Sequence, residues 1–68
     1  MSDKLEHYRK FIGSEVYIGQ WQATGILKAV RSVSERYYAD VEIGASQTTI
    51  NACLLMRKTD KVYLEDIV

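Results

Sequence analysis

The first apolar pattern along the chain has the period of a helix. Leu5, Tyr8 and Ile12 recur at intervals of three and four residues, which places them on one helical face. Gly13 follows, and glycine readily takes the left-handed conformation that ends many helices. The pattern predicts a helix over residues 2–12, and a helix this short needs its apolar face docked on the rest of the chain.

After this helix the apolar period changes to two, which is typical of half-buried strands. The alternation predicts five strands, over residues 15–18, 21–31, 36–43, 47–57 and 61–64. Gly25 interrupts the second strand, where a glycine marks a bend, a bulge or a close backbone approach. A bent second strand lets a small sheet roll up. We therefore expect a mainly β fold: one domain over residues 1–68, with an N-terminal helix followed by a five-stranded, strongly bent SH3-like or Sm-like small barrel.

The predicted third and fourth strands differ in their faces. Strand 36–43 alternates cleanly, so it has one buried and one solvated side. Strand 47–57 is apolar on both faces through residues 53–56, although only one face of a small barrel strand meets the core. The second face, with Cys53 and Leu55, is predicted to be covered by another subunit. The alternative is that the N-terminal helix alone covers it.

Two stretches of the sequence resemble Sm-like proteins, the family that includes the bacterial RNA chaperones. Ile12-Gly13-Ser14-Glu15-Val16-Tyr17-Ile18 is similar to the opening of that family, and Thr24-Gly25-Ile26-Leu27-Lys28-Ala29-Val30 resembles its long bent second strand. The resemblance implies RNA binding by the loops after strands two and four. It also implies rings in which strand four pairs with strand five of the next subunit, with an interface at Ile50, Cys53, Leu55, Val62 and Leu64.

The chain departs from the Sm-like pattern at both loops. The Asp and Asn of the family's first loop have no counterpart in residues 32–35, and Arg57-Lys58 lacks the glycine of the second loop. A second family, the PRC barrel, also opens with an Ile-Gly-x-x-Val phrase and ends with an apolar strand. That resemblance implies a protein-interaction module.

Basic side chains and tyrosines lie together near the ends of predicted strands two and four. Cations bind phosphates and aromatic rings stack on bases, which is how proteins hold single-stranded nucleic acid. Single-stranded RNA is the expected ligand, and the residues predicted to bind it are Lys28, Arg31, Arg36, Tyr38, Arg57 and Lys58. The alternative is a solvated barrel rim.

Trp21 is either an exposed hot spot for a protein partner or a plug for the barrel end.

Composition narrows the class of protein. Nine basic and nine acidic residues give a formal net charge of zero, so the basic footprint of a duplex-DNA binder is missing. A single cysteine and a single histidine exclude an intrachain disulfide and a Cys/His zinc site. The sequence has no signal-peptide pattern and no apolar run near the roughly 20 residues of a membrane span. With the lone thiol, these features predict a cytoplasmic protein without membrane contact.

Catalysis is the weaker interpretation. Asp40 with Glu42, and Glu65 with Asp66, are read as solvated acidic pairs, and His7 has no obvious nucleophile beside it. We expect a non-enzymatic binding module with no catalytic residues, no metal and no cofactor, although a site formed at a subunit interface stays open. The leading hypothesis is a homo-oligomer, a ring being one form, that binds single-stranded RNA. The alternative is a protein–protein interaction barrel that binds no nucleic acid.

Overall fold

The computed structural model shows one short helix followed by a five-stranded antiparallel sheet, and it describes residues 3–67. The helix and strands are α1 (Asp3–Arg9), β1 (Glu15–Ile18), β2 (Ala23–Val33), β3 (Arg36–Ile43), β4 (Ser46–Asn51) and β5 (Leu55–Arg57). Short 3-10 helices cover Ala52–Leu54 and Leu64–Asp66. Helix α1 packs against β2 and the second 3-10 helix. The mainly β class and the N-terminal helix are therefore confirmed.

The sheet is not closed into a barrel, so the predicted SH3-like or Sm-like small barrel is wrong in this respect. Its strand order is β4-β3-β2-β1-β5, which leaves β4 and β5 as the two edges. Within the described residues these two edge strands do not pair with each other. One face of the sheet holds the core with α1 packed over it, and we call the opposite face the outer face.

The helix is shorter than the predicted range of 2–12, whose first residue lies outside the described part of the chain. Helix α1 ends at Arg9 and continues into tight turns, in which the Ile12 amide donates to the Arg9 carbonyl at 3.1 Å. The change of pitch turns Ile12 outward, where it is 43% exposed. Phe11 packs against the core instead. Gly13 ends the turns with a φ of +92°, the left-handed conformation expected of it.

Strand β2 carries both a close backbone approach and a bulge. A Cβ on Gly25 would lie 2.6 Å from the Glu42 carbonyl oxygen, so this position has no room for a side chain. The register shifts between Leu27 and Ala29, which is a bulge. Leu27 and Val30 can therefore both face the core although they are an odd number of residues apart. A close backbone approach was among the structures predicted for Gly25. The bulge does not lie at Gly25 but further along the strand, between Leu27 and Ala29.

Strand β3 spans the predicted residues. Ala39 and Val41 are buried, Tyr37 and Ile43 pack partly buried against the core, and Glu42 is exposed. The prediction of a strand with one buried and one solvated face is confirmed. Strand β3 lies inside the sheet, with α1 and the core on one side only.

The predicted fourth strand, residues 47–57, is in fact two strands separated by a 3-10 helix. Strand β4 ends at Asn51, and the 3-10 helix turns the chain so that β5 pairs with β1 on the far side of the sheet. Ala52 and Leu55 both become buried because the 3-10 helix brings residues three apart onto one side. The predicted fifth strand at 61–64 is also wrong: Tyr63 makes one isolated bridge to Met56, and Leu64 begins a 3-10 helix.

Tyr8 of α1 anchors the helix in the core. Its side chain is only 1% exposed, and its ring lies 5.7 Å from that of Tyr37. Burial, and then the nearby Glu65 carboxylate, raise the pKa of the Tyr8 hydroxyl to about 12. The folded protein therefore favours the neutral phenol.

This pKa predicts a loss of stability in alkaline solution. The stabilisation is complete below the unfolded pKa of about 10 and is lost as the pH rises through the folded pKa near 12. The Tm of the protein should therefore fall over this pH range, and Tyr8→Phe should reduce the fall because phenylalanine has no proton to lose. Thermal unfolding followed by circular dichroism measures both proteins. Equal falls in the two would contradict the prediction.

Candidate functional site

The residues predicted to bind nucleic acid lie in separate places. Arg31 of β2 lies opposite Tyr38 of β3, and both belong to the outer face. Lys28 lies at the bulge of β2, and Arg36 begins β3 beside the hairpin turn. Arg57 ends β5, on the far side of β1, and Lys58 follows it in a turn. The predicted set therefore does not form one continuous basic surface.

Within residues 3–67, each predicted basic residue except Arg36 contacts a carboxylate. The nitrogen-to-oxygen distances are 3.6 Å for Lys28–Glu42, 2.8 Å for Arg31–Asp40, 2.5 Å for Arg57–Asp60 and 3.4 Å for Lys58–Glu15. Exposed ion pairs of this kind contribute little to stability, because solvent and salt screen them. They do balance the charge locally, so a phosphate at any of these cations would also lie near an acidic group.

Asp40 shows this local balance most clearly. The Thr49 hydroxyl donates to its Oδ1 at 2.6 Å and Arg31 donates to its Oδ2 at 2.8 Å. The hydrogen bond from Thr49, followed by that from Arg31, holds the pKa of the Asp40 carboxyl below its usual range. Arg31 thus faces a carboxylate that stays ionised at neutral pH.

A groove of about 600 Å³ brings Arg57 and Lys58 together with Lys10. The loop after α1 forms one wall, with Phe11 and Glu15, and residues 57–59 form the other. Three cations and one carboxylate line it, so its lining has a net positive charge. Lys10 was not among the predicted site residues, because the distance in sequence between residues 10 and 57 conceals their proximity.

A row of three side chains crosses the outer face at the β5 edge. Tyr17 of β1 lies opposite Met56 of β5, which in turn bridges to Tyr63. The Lys61 ammonium lies 4.8 Å from the centre of the Tyr17 ring, within the range of a cation–π interaction. We call Tyr17, Met56 and Tyr63 the aromatic row. The sequence pattern does not indicate this row, since it predicts a regular strand over residues 61–64 and places Met56 in another strand.

Trp21 lies in the turn between β1 and β2. Gly19 of the same turn lies beside the Met56 thioether and the Tyr17 ring. The Trp21 side chain is 50% exposed, and its amide donates to the Ile18 carbonyl at 3.2 Å. The alternative that Trp21 plugs a barrel end is therefore wrong.

The predicted oligomer interface divides between core and surface. Ile50, Leu55 and Leu64 belong to the core of the single chain, and Leu55 and Leu64 are 0% exposed. Cys53 and Val62 are exposed. The interface was predicted from a single strand that is apolar on both faces. That prediction was wrong, because a 3-10 helix interrupts the strand and Leu55 faces the same core as Ile50.

His7 has a structural position rather than a place in a cluster of reactive groups. Its Nε2 lies 2.6 Å from the Leu64 carbonyl oxygen, which ties α1 to the second 3-10 helix. Among the described residues, no three His, Cys, Asp or Glu side chains are grouped to hold a metal ion. None of the described helices has the length and apolarity needed to cross a membrane.

Comparison with known proteins found no matching family model, no similar curated protein and no similar solved structure. The resemblance to Sm-like and SH3-like proteins therefore stays a prediction, and any proposal of function depends on the surfaces described above.

Proposed function

We propose that this domain is a protein-interaction module whose contact surface is the aromatic row together with Trp21. The observation that carries the proposal is the row of Tyr17, Met56 and Tyr63 at one end of the outer face, with Trp21 exposed in the adjoining β1–β2 turn. Tyr63 is 42% exposed and Trp21 is 50% exposed. Such side chains are enriched where proteins bind one another.

The chemistry of these side chains suits a protein partner. Tyrosine and tryptophan offer large, rigid contact areas that lose little conformational entropy on binding. The Met56 thioether adapts to irregular apolar surfaces. Lys61, beside Tyr17, adds a cation at the rim. The surface fits an apolar segment that carries an acidic side chain.

Beyond the aromatic row, the charges of the outer face favour a protein ligand over RNA, because its cations are paired with carboxylates. A phosphate placed at Arg31 would lie near Asp40, and one placed at Lys28 would lie near Glu42. Counterion release, which supplies most of the affinity for nucleic acid, is small where cations are already neutralised.

A second candidate function, binding of single-stranded RNA by an Sm-like oligomer, is favoured by the groove alone. Lys10, Arg57 and Lys58 line it, and Phe11 offers a ring for stacking. Glu15 and Asp60 reduce its positive charge, so we place this function behind protein binding.

Parallel selections would test the two functions. The immobilised full chain is offered a random peptide library on phage and, separately, a random single-stranded RNA pool. We expect the selection to enrich peptides, and truncation of a hot-spot side chain by Tyr63→Ser or Trp21→Ser to weaken their binding by at least about 2 kcal/mol, roughly thirtyfold. Val33→Ser is the matched control, since Val33 is equally exposed but lies at the β2–β3 hairpin.

The opposite pattern would overturn the proposal. It would consist of enriched RNA and no enriched peptide, with affinity that falls steeply as salt rises. Loss of that affinity on Arg57→Ala and Lys58→Ala would assign the RNA to the groove. Peptides that bind all variants equally would also contradict a site at the aromatic row.

A further inference from the structure

The two edges of the sheet differ in whether the chain itself covers them. Residues 61–63 cover β5: the Arg57 amide donates to the Val62 carbonyl at 2.8 Å, the Lys61 amide donates to the Arg57 carbonyl at 2.7 Å, and Met56 bridges to Tyr63. Among residues 3–67, no segment pairs with the outer edge of β4. Of the two edge strands, β4 is therefore the one available to pair with a strand of another molecule.

The register of the β3–β4 hairpin identifies which backbone groups of β4 point outward. Ile43 and Ser46 flank a two-residue turn, and such a flanking pair is hydrogen-bonded. Alternation then directs the N–H and C=O groups of Ser46, Thr48 and Ile50 toward β3. The same groups of Gln47, Thr49 and Asn51 point away from the sheet.

Strand β4 lacks the features that usually protect an edge. Its sequence, Ser46-Gln47-Thr48-Thr49-Ile50-Asn51, contains no charged residue and no proline. Its pairing with β3 is regular along all six residues, without a bulge. Edge strands that must stay single usually carry charges, proline or bulges. The regular, uncharged edge of β4 is therefore suited to pairing.

We infer that the occupant of this edge is β4 of a second copy of the chain, antiparallel and related by a two-fold axis at Thr49. This register places Thr49 opposite Thr49 and Gln47 opposite Asn51. Every outward N–H and C=O of these residues then finds a partner across the axis. A register in which Gln47 faces Thr49 would instead place Asn51 opposite the turn residue Ala45.

The side chains of β4 favour a second copy as the partner. Threonine pairs directly across antiparallel strands are favourable, and the Gln47 and Asn51 amides can hydrogen-bond to one another. Identical charges brought together by a two-fold axis would repel, and β4 has none. This two-fold contact differs from the Sm-like ring, in which strand four would need the β5 edge that residues 61–63 cover.

Sedimentation of the full chain over a range of concentrations tests the inference. We expect a concentration-dependent dimer whose dissociation constant rises at least about tenfold in Thr49→Pro, since proline removes an outward N–H but no bond to β3. Thr49→Ala is the matched control: it also loses the hydrogen bond to Asp40 but keeps the amide. A monomer at all concentrations, or equal weakening by both substitutions, would overturn the inference.

Cross-linking in a Cys53→Ser background tests the register and does not depend on whether the proline variant folds. Hydrogen-bonded antiparallel pairs have Cα atoms about 5.5 Å apart, a distance that a disulfide can span. Thr49→Cys should therefore oxidise to a covalent dimer, and Gln47→Cys should do so only when mixed with Asn51→Cys. Thr24→Cys, exposed on β2, is the control for random collision. Cross-linking of Thr49→Cys at the rate of this control would contradict the register.

The dimer and the proposed peptide site can fail independently. The aromatic row lies at the β5 edge and the dimer contact at the β4 edge, at opposite ends of the strand order. Thr49→Pro should keep the affinity for selected peptides, and Tyr63→Ser should keep the dimer.

Discussion

Leu55→Ala is expected to lower the free energy of unfolding by about 3–5 kcal/mol. Leu55 is fully buried at the start of β5, where its side chain joins the core beneath β1. The substitution removes buried apolar surface and leaves a cavity. Domains of this size are stable by only about 3–10 kcal/mol in total, so the variant should lose a large share of its stability.

Urea unfolding measures the free energy of unfolding of Leu55→Ala and of its control, Cys53→Ala. Cys53 lies two residues earlier but is exposed, so its truncation should change the free energy of unfolding by less than about 0.5 kcal/mol. If Leu55→Ala left stability unchanged but dissociated an oligomer, Leu55 would belong to a subunit interface as the sequence pattern suggested.

Gly25→Ala is expected to lower the free energy of unfolding by about 1–3 kcal/mol or more, because overpacking against backbone cannot be relieved by a change of rotamer. The added Cβ would lie 2.6 Å from both the Glu42 carbonyl oxygen and the Val41 Cγ1. Strands β2 and β3 would have to separate, and their pairing is the most extensive in the sheet.

Gly19→Ala is the matched control for this substitution. The Cβ there would meet its nearest neighbours, Met56 and Tyr17, at 3.6 Å and 3.7 Å, which are ordinary contact distances. Alanine at this turn position should change stability by less than about 1 kcal/mol. If thermal unfolding showed the same loss of stability in both variants, the packing argument at Gly25 would be contradicted.

Local patterns gave reliable predictions where one element has one buried face. Strand β3 has the predicted limits, since Ala39 and Val41 alternate with Asp40 and Glu42 along an uninterrupted strand. Helix α1 was placed correctly by Leu5 and Tyr8, but its end was placed too late. The tight turns after Arg9 keep Phe11 on the core and turn Ile12 away.

The candidate site was less predictable because ion pairs and cross-strand rows join residues distant in sequence. The basic residues were identified by type, yet their carboxylate neighbours follow from the register of the sheet, as for Arg31 and Asp40. The aromatic row depends on β5 pairing with β1 and on one bridge to Tyr63.

The sequence by itself determined the helix near the N-terminus, the mainly β class and the residues of β3, because these follow from the local period of apolar side chains. Only the tertiary structure decided where the fourth strand ends, which edge of the sheet residues 61–63 cover and which charges are paired. A single 3-10 turn at residues 52–54 redirects the chain across the sheet. Its geometry brings Ala52 and Leu55 onto the core, and no two-residue alternation can encode that change of direction.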